Sequence, residues 1–422
     1  MPRTLAHLVL ACAVLLAATS SPAAALPAPA TAGQDNPCRD PSHENYRTHA
    51  CKVERLRERP FSVVAVIDSG INPYHVDFRV PEDEDLHGVH PSEFIEGYPK
   101  DAPALELTFD APNLAAARSA DQATWGSIGR GALVSFAGTN VIGAVNVSGS
   151  SPWDADGHGT SVASAAGGRL YGQDPDRVLL VSVSGGSTGG IRWAAEQPWI
   201  DAITNSYLAV TVPYTLSAAT RDAVSRGKVV CFSSGNYVVQ PMPNDTKGPS
   251  WHFYVGAVDH ETRTEEYYSS SPADVMAPVG GPLATNSSLE ATSGGRGTSF
   301  AAPRACGLVA STIAKVRGLL GDFREGPHED RALAKGEPGK GSLDDGRLTR
   351  VEVEDALMAT AEPARTLPAG HYVRGGYGIV DQETAPKAYR VIVGEAPRPD
   401  RFQEDTWHAA VDAARNALYP PP

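Results

Sequence analysis

Residues 61–67 (Phe-Ser-Val-Val-Ala-Val-Ile) form a short β-branched apolar run that stops at Asp68-Ser69-Gly70, and runs of the same kind recur at 178–183, 200–204, 228–232 and 253–258. A run without polar alternation is what a strand covered on both faces needs, because neither set of side chains meets water. Between these runs, residues 160–166, 190–196, 216–225 and 299–316 carry helical periodicity. Strands alternating with helices fold as parallel βαβ units. The expected fold is therefore a three-layer α/β/α domain around a mostly parallel central sheet. Residues 348–360 read as a further helix, and Gly375-Gly-Tyr-Gly-Ile-Val380 as a closing strand.

The rhythm breaks over residues 81–130. Between 82 and 110 nine acids (Glu82, Asp83, Glu84, Asp85, Glu93, Glu96, Asp101, Glu106, Asp110) face Lys100 alone, nine less one giving −8. The stretch reads as an inserted surface excursion that, if it overhung a cleft, would favour basic peptides over acidic ones at low salt. Upstream, residues 1–25 combine Arg3, an apolar run over 8–18 and Ser-Ser-Pro-Ala-Ala-Ala, the pattern of a secretory signal, so a secreted, extracellular protein is expected. Residues 26–60, rich in Ala, Pro and charge, read as an N-terminal extension, 61–393 as the main domain and 394–422 as a tail. No other stretch reaches 18 consecutive apolar residues, so no membrane span is expected. With 36 Lys+Arg against 49 Asp+Glu the net charge is −13, which would repel a phosphate backbone, and no nucleic-acid partner is expected.

Outside the signal the chain has four cysteines, too few for a disulfide scaffold. Cys38 and Cys51 bracket a polar segment holding His43 and His49, which raises zinc as well as a disulfide. The spacing lacks the close paired grip of a structural zinc site, and a Cys38–Cys51 disulfide is the reading adopted; such a loop contributes about 3 kcal/mol. Cys231 and Cys306 lie in apolar stretches and read as small buried hydrophobes.

Three further segments carry chemistry. Asp68 stands at the carboxyl end of the first strand, where open α/β sheets place functional residues, although Asp-Ser-Gly alone is an ordinary turn. In Asp156-Gly-His158-Gly-Thr160, glycines let other groups approach an imidazole at a helix start, although a histidine there could simply cap the helix. In Gly297-Thr-Ser299-Phe-Ala-Ala-Pro303, a tight turn puts a serine at the positive end of a helix, where serine is also a common cap. Their conjunction matters more than any one of them. A serine hydroxyl needs a general base, and that imidazole needs a carboxylate to hold its tautomer and stabilise its charge. Asp68, His158 and Ser299 supply the three. The run 228–236 ends in Ser-Ser-Gly-Asn236, either a turn or an amide donor for a developing oxyanion.

On these residues the chain resembles the subtilisin-like serine proteases, the subtilases, from about 61 to 393. The segments Val-Val-Ala-Val-Ile-Asp68-Ser-Gly, Gly157-His158-Gly-Thr-Ser-Val-Ala, Ser234-Gly-Asn236 and Gly297-Thr-Ser299-Phe-Ala-Ala-Pro match the family's four signatures. Val255-Gly-Ala-Val-Asp259 and Asp274-Val-Met-Ala-Pro278 match two structural segments. The triad order Asp, His, Ser is that of subtilisin. The resemblance implies a peptide-bond hydrolase acting on polypeptides without a cofactor, with Ser299 as nucleophile, His158 as base, Asp68 as its orienter, and Asn236 with the Ser299 amide binding the oxyanion. It also implies substrate contacts at Ser206, Tyr207 and Leu208 and a pocket wall of Ser233, Ser234 and Gly235.

The chain departs from the family pattern in places. Ser206-Tyr207-Leu208 puts a side chain where the family has glycine, and Arg304-Ala305 follows Pro303 where the family has His-Val. The calcium loop that interrupts the helix after the histidine in many relatives is missing, so no metal site is carried over. Two other functions compete. An inactive peptide-binding module would explain the altered cleft wall, but it would not need all three triad members and Asn236. An esterase of the α/β-hydrolase type needs a different chain order.

Overall fold

The computed structural model describes residues 36–206, 214–236, 253–270, 273–320, 341–343, 347–362 and 376–399. The signal-like residues 1–25, the tail from 400 onward and most of the charge-rich loop over 321–347 lie outside the described residues. So does Gly375; of the expected closing strand, Ile379 makes only single bridges, to Met276 and to Glu362.

The apolar runs form strands: β1 Ser62–Ile67, β5 Val178–Ser184, β6 Ala202–Asn205, β7 Val229–Ser233 and β8 Phe253–Asp259. They join β4 Val141–Asn146 and β9 Val275–Val279 in a seven-stranded sheet of order β4-β5-β1-β6-β7-β8-β9, with every pairing parallel. Two small two-stranded sheets, β2 Ala104–Leu105 with β3 Ser135–Phe136 and β10 Pro282–Ala284 with β11 Thr292–Gly294, lie beside it. The fold is a mostly parallel three-layer α/β/α sandwich, as the rhythm of the sequence required.

Why the strands show no polar alternation is visible in the packing. Along β1, Val64 and Val66 enter one core, while Val63, Ala65 and Ile67 enter the other. The same period of two divides Val178 and Leu180 from Leu179, Val181 and Val183, and Cys231 from Phe232. One core is closed by α4 His158–Gly167, α7 Thr298–Leu320, α8 Arg350–Thr360 and α9 Thr384–Ile392. The other is closed by α5 Ser187–Glu196 and α6 Tyr214–Ser225, together with α1 His49–Glu58. Cys231 and Cys306 are fully buried free thiols in the first core.

The region over 81–130 contains α2 Leu114–Ala120 and α3 Gln122–Gly126, and it is more firmly packed than a surface excursion would be. Leu86, Val89, Phe94, Ile95 and Tyr98 belong to the second core, and the Tyr98 hydroxyl donates to the Ile142 carbonyl at 2.6 Å. These apolar residues sit among acids and prolines at irregular spacing, so no period betrays them. The stretch is held by α1, which meets two of its acids and several of its carbonyls and which the compositional reading of 26–60 did not anticipate. Arg55 pairs with Asp85, His49 approaches Glu93 at 2.8 Å, and the Lys52 ammonium donates to the carbonyls of Glu82, Glu84 and His87. Arg169 takes Glu84. Leu56 is fully buried, and the Cys38 and Cys51 sulfurs at the amino end of α1 lie at bonding distance with Cα atoms 4.8 Å apart.

Candidate active site

The strand order reverses around β1, whose neighbours are β5 and β6, and the crevice outside the carboxyl ends of strands at such a reversal is where doubly wound sheets bind ligands. Here that crevice is a cleft of about 670 Å³. Each strand end delivers a piece of its wall: Asp68 and Ser69 after β1, Gly185 and Gly186 after β5, Ser206 after β6, and Ser233, Gly235 and Asn236 at β7. His158 and Asp156 enter from the start of α4, Thr298 and Ser299 from the start of α7. Residues 81–130 contribute nothing to its lining among the described residues.

His158 is the first residue of α4. Gly157 before it has φ +101°, a left-handed conformation that costs a side-chain-bearing residue energy, and a Cβ there would lie 2.8 Å from the Asn286 Oδ1. A Cβ on Gly159 would lie 2.4 Å from the Gly70 carbonyl oxygen, so the two glycines let the helix start press against the turn after β1. The His158 Nδ1 meets Asp68 Oδ1 at 2.8 Å and Oδ2 at 3.0 Å. Asp68 is 3% exposed at its side chain, His158 31%, so the carboxylate is shielded while the far ring edge keeps access to the cleft. Burial pulls the imidazole's pKa down most strongly. The hydrogen bond and charge of Asp68, with the charges of Asp156 and Asp154, more than offset that and raise it above the ordinary histidine value. The ring of Phe300 lies 5.4 Å from that of His158, centroid to centroid.

Ser299 owes its setting to a proline. Pro303 has no N–H, so the Ser299 carbonyl, four residues earlier in α7, lacks its helical donor. The Ser206 hydroxyl donates to it at 2.7 Å instead. In return the Ser206 carbonyl accepts the Ser299 hydroxyl and the Ser233 hydroxyl, each at 3.3 Å. The nucleophile candidate is thus tied to the ends of β6 and β7. The Ser299 N–H belongs to the first turn of α7, where amides have no acceptor within their helix.

Asn236 accepts at Oδ1 from the Thr298 N–H and from the Thr298 hydroxyl, both at 2.9 Å. Two donors on one oxygen settle which way the amide faces, and its NH₂ is the group left to offer. Thr298 also accepts from the Gly235 N–H at 3.1 Å. Of the residues expected to contact substrate, Ser206, Ser233 and Gly235 line the cleft; Ser234 is buried and not among its lining, and Tyr207 and Leu208 lie outside the described residues. Sequence reasoning missed Thr298, Ser69 and Asp154, which hold the site from behind. The first two stand inside quoted motifs, and the third is an acid four positions before the histidine, a spacing that signals nothing until the turn is folded.

Among the described residues no group of three or more His, Cys, Asp or Glu side chains is placed to hold a metal ion, and no helix is long and apolar enough to cross a membrane. The model of the subtilase family matches residues 62–378. Subtilisin-like protease 5 of Arthroderma otae is 30% identical over 182 residues, 38% of this chain and 45% of that protein. Subtilisin-like protease 3 of Pseudogymnoascus destructans is 28% identical over 203 residues, 43% of this chain and 48% of that protein. The chain thus spans less than half the length of these named relatives. Among solved structures, a cold adapted subtilisin-like serine proteinase aligns with a TM-score of 0.44 at 18% identity over 76% of this chain and 88% of its own. The prenylagaramide maturation protease aligns at 0.45 and 16% over 80% and 98%.

Proposed function

This chain belongs to the subtilase family, and from that premise we propose that it is an exported serine endopeptidase, acting on polypeptides through Asp68, His158 and Ser299. The observation that carries the reading is the His158–Asp68 hydrogen bond at 2.8 Å in a cleft that also holds Ser299 and Asn236. The Ser299 hydroxyl attacks the peptide carbonyl as His158 Nε2 takes its proton. Asp68 holds Nδ1–H and stabilises the imidazolium. The oxygen of the tetrahedral intermediate lies between the Asn236 amide and the Ser299 N–H, donors set in place before reaction. His158 then protonates the departing amine, and water, deprotonated by the same ring, releases the acyl group from Ser299. Ser206, Ser233 and Gly235, which line the cleft, are the proposed substrate-binding residues, and the family pattern adds Tyr207, Leu208 and Ser234 as proposals. Export fits the signal-like residues 1–25 and a Cys38–Cys51 disulfide, which persists in oxidising compartments.

The test is a fluorophosphonate probe with mass-spectrometric mapping, run beside cleavage of a mixed peptide library. Labelling confined to Ser299, absent in Ser299→Ala and accompanied by cleavage, is the expected result. A folded protein that binds peptides, takes no label and cuts nothing would instead be a non-catalytic binding module.

A further inference from the structure

Asp154 is fully buried, four residues before His158. A buried charge must be paired or richly hydrogen-bonded, and this one is served by five uncharged donors. Oδ1 accepts from the Ser69 hydroxyl at 2.8 Å, the Gly157 N–H at 2.7 Å and the Asp156 N–H at 3.1 Å. Oδ2 accepts from the Thr160 N–H at 2.8 Å and the Thr160 hydroxyl at 2.6 Å. The Thr160 bonds cap the first turn of α4, the Gly157 and Asp156 bonds close the turn before it, and all of them are local to the loop that carries Asp154. The bond to Ser69 is different, because it crosses to the turn that carries Asp68.

The Ser69 hydroxyl is 2.8 Å from Asp154 but 3.3 Å from Asp68, so its proton goes to Asp154 and not to the carboxylate that engages the imidazole. Its oxygen accepts the Gly159 N–H at 2.9 Å, next to His158, while its own N–H reaches Asp68 Oδ1 at 2.8 Å. A second bridge runs through Thr160, whose hydroxyl, having given its proton to Asp154, accepts the Asn72 N–H at 3.0 Å. Asp68 and His158 are 90 positions apart in the chain. Backbone bonds also join their segments, Ile71 N–H to the Pro152 carbonyl at 3.0 Å and Asp154 N–H to the Ile71 carbonyl at 3.2 Å, but the two side-chain bridges nearest the pair meet at one carboxylate.

We infer that Asp154 is a positioning residue of the proposed triad, setting through Ser69 and Thr160 the separation and charge at which Asp68 engages His158. The inference rests on the catalytic reading above. Among the described residues, the charged groups facing His158 are Asp68 from the end of β1 and Asp156 and Asp154 from the loop before α4; α7 presents the uncharged Phe300. Removing the Asp154 charge therefore lowers the pKa of the ring.

Two variants of the full chain test it, with active sites counted by fluorophosphonate titration so that only folded enzyme enters kcat. Asp154→Asn keeps the shape, removes the charge and sets an NH₂ against N–H donors. It should lower kcat about 10- to 100-fold, by analogy with the partners that orient metal-ligating side chains, and shift the acid limb of the kcat/KM profile to lower pH. Ser69→Ala keeps the carboxylate and cuts the bridge. It should lower kcat with KM held within about twofold, the signature of an interaction made in the transition state. A merely structural aspartate would lower the melting temperature and leave kcat per active site unchanged in both variants, with its charge moving only the acid limb in Asp154→Asn. Either variant at wild-type kcat overturns the inference, and Ser69→Ala alone decides if Asp154→Asn does not fold. A wild-type chain that takes no label and cleaves nothing fails the catalytic reading instead.

Discussion

Ser299 can be deprotonated only by a neutral imidazole, so the state of His158 sets when this site works. Because the Asp68 hydrogen bond and neighbouring carboxylates raise its pKa despite burial, the ring stays protonated to a higher pH than a free histidine. The acid limb of kcat/KM should accordingly have its midpoint above about 6.5, and a ring titration followed by NMR should give the same midpoint. The stability linkage runs the other way. A group whose pKa is raised by folding contributes stability in full below its unfolded value of about 6.5, and that contribution is lost as pH rises through the folded value. In a Ser299→Ala background, which prevents self-digestion, melting temperature should fall across that window, and adding His158→Gln should flatten the fall. Ser299→Ala itself should lose about 10⁶-fold in turnover and Asn236→Ala about 10²- to 10³-fold; both magnitudes are subtilisin's own, carried over by family membership. A correctly folded Ser299→Ala protein keeping more than a few per cent of activity would sink the mechanism.

At the scale of elements, α1 is the part whose importance composition hides. Val53 and Leu56 pack into the second core, Cys51 turns to Cys38, and Arg55 and Lys52 hold Asp85 and the Glu84 carbonyl of the acidic stretch beyond Pro81. Leu56→Ala should cost about 2–5 kcal/mol of stability, the usual price of emptying a buried leucine site. Replacing Cys38 and Cys51 together by serine should cost about 3 kcal/mol if the disulfide forms. Thermal unfolding measures both. Since Glu84, Asp85 and Glu93 are engaged by Arg169, Arg55 and His49, and none lines the cleft, their neutralisation should not change the ratio of basic to acidic peptide cleavage at low salt. A ratio that collapses on neutralising them would put their field in the substrate's path after all.

Across the whole molecule, chemistry and stability lie at opposite ends of one helix. With 23 residues α7 is about 35 Å long, and it runs from Ser299 in the cleft to Arg317 at the amino ends of the strands. There Arg317 meets Asp201 in a bidentate pair at 2.7 and 2.8 Å, both side chains nearly fully buried, and Asp201 also accepts the Val63 N–H at 3.0 Å. Removing one partner leaves a charge buried and uncompensated. Asp201→Ala should therefore destabilise by about 3–5 kcal/mol, seen in denaturant unfolding, with kcat per labelled active site unchanged. A fall in kcat with little loss of stability would mean that the far end of α7 governs the nucleophile.

The layered α/β/α fold and the identities of the four residues at the centre of the proposed site were legible in the sequence, because each depends on local order. Period and β-branching mark a strand covered on both faces, and short motifs hold Asp68, His158, Asn236 and Ser299 within a few residues of the glycines that their turns require. What the motifs could not carry is everything made by contacts distant in the chain. That α1 docks on the acidic stretch, that Leu86, Phe94 and Tyr98 join the core, that Ser206 supplies the bond Pro303 withholds, and that Asp154 reaches Ser69 are all tertiary facts. Hydrogen bonds and apolar contacts of that kind form only when folding brings residues 30 to 93 positions apart to within a few ångströms, and no local pattern records the meeting.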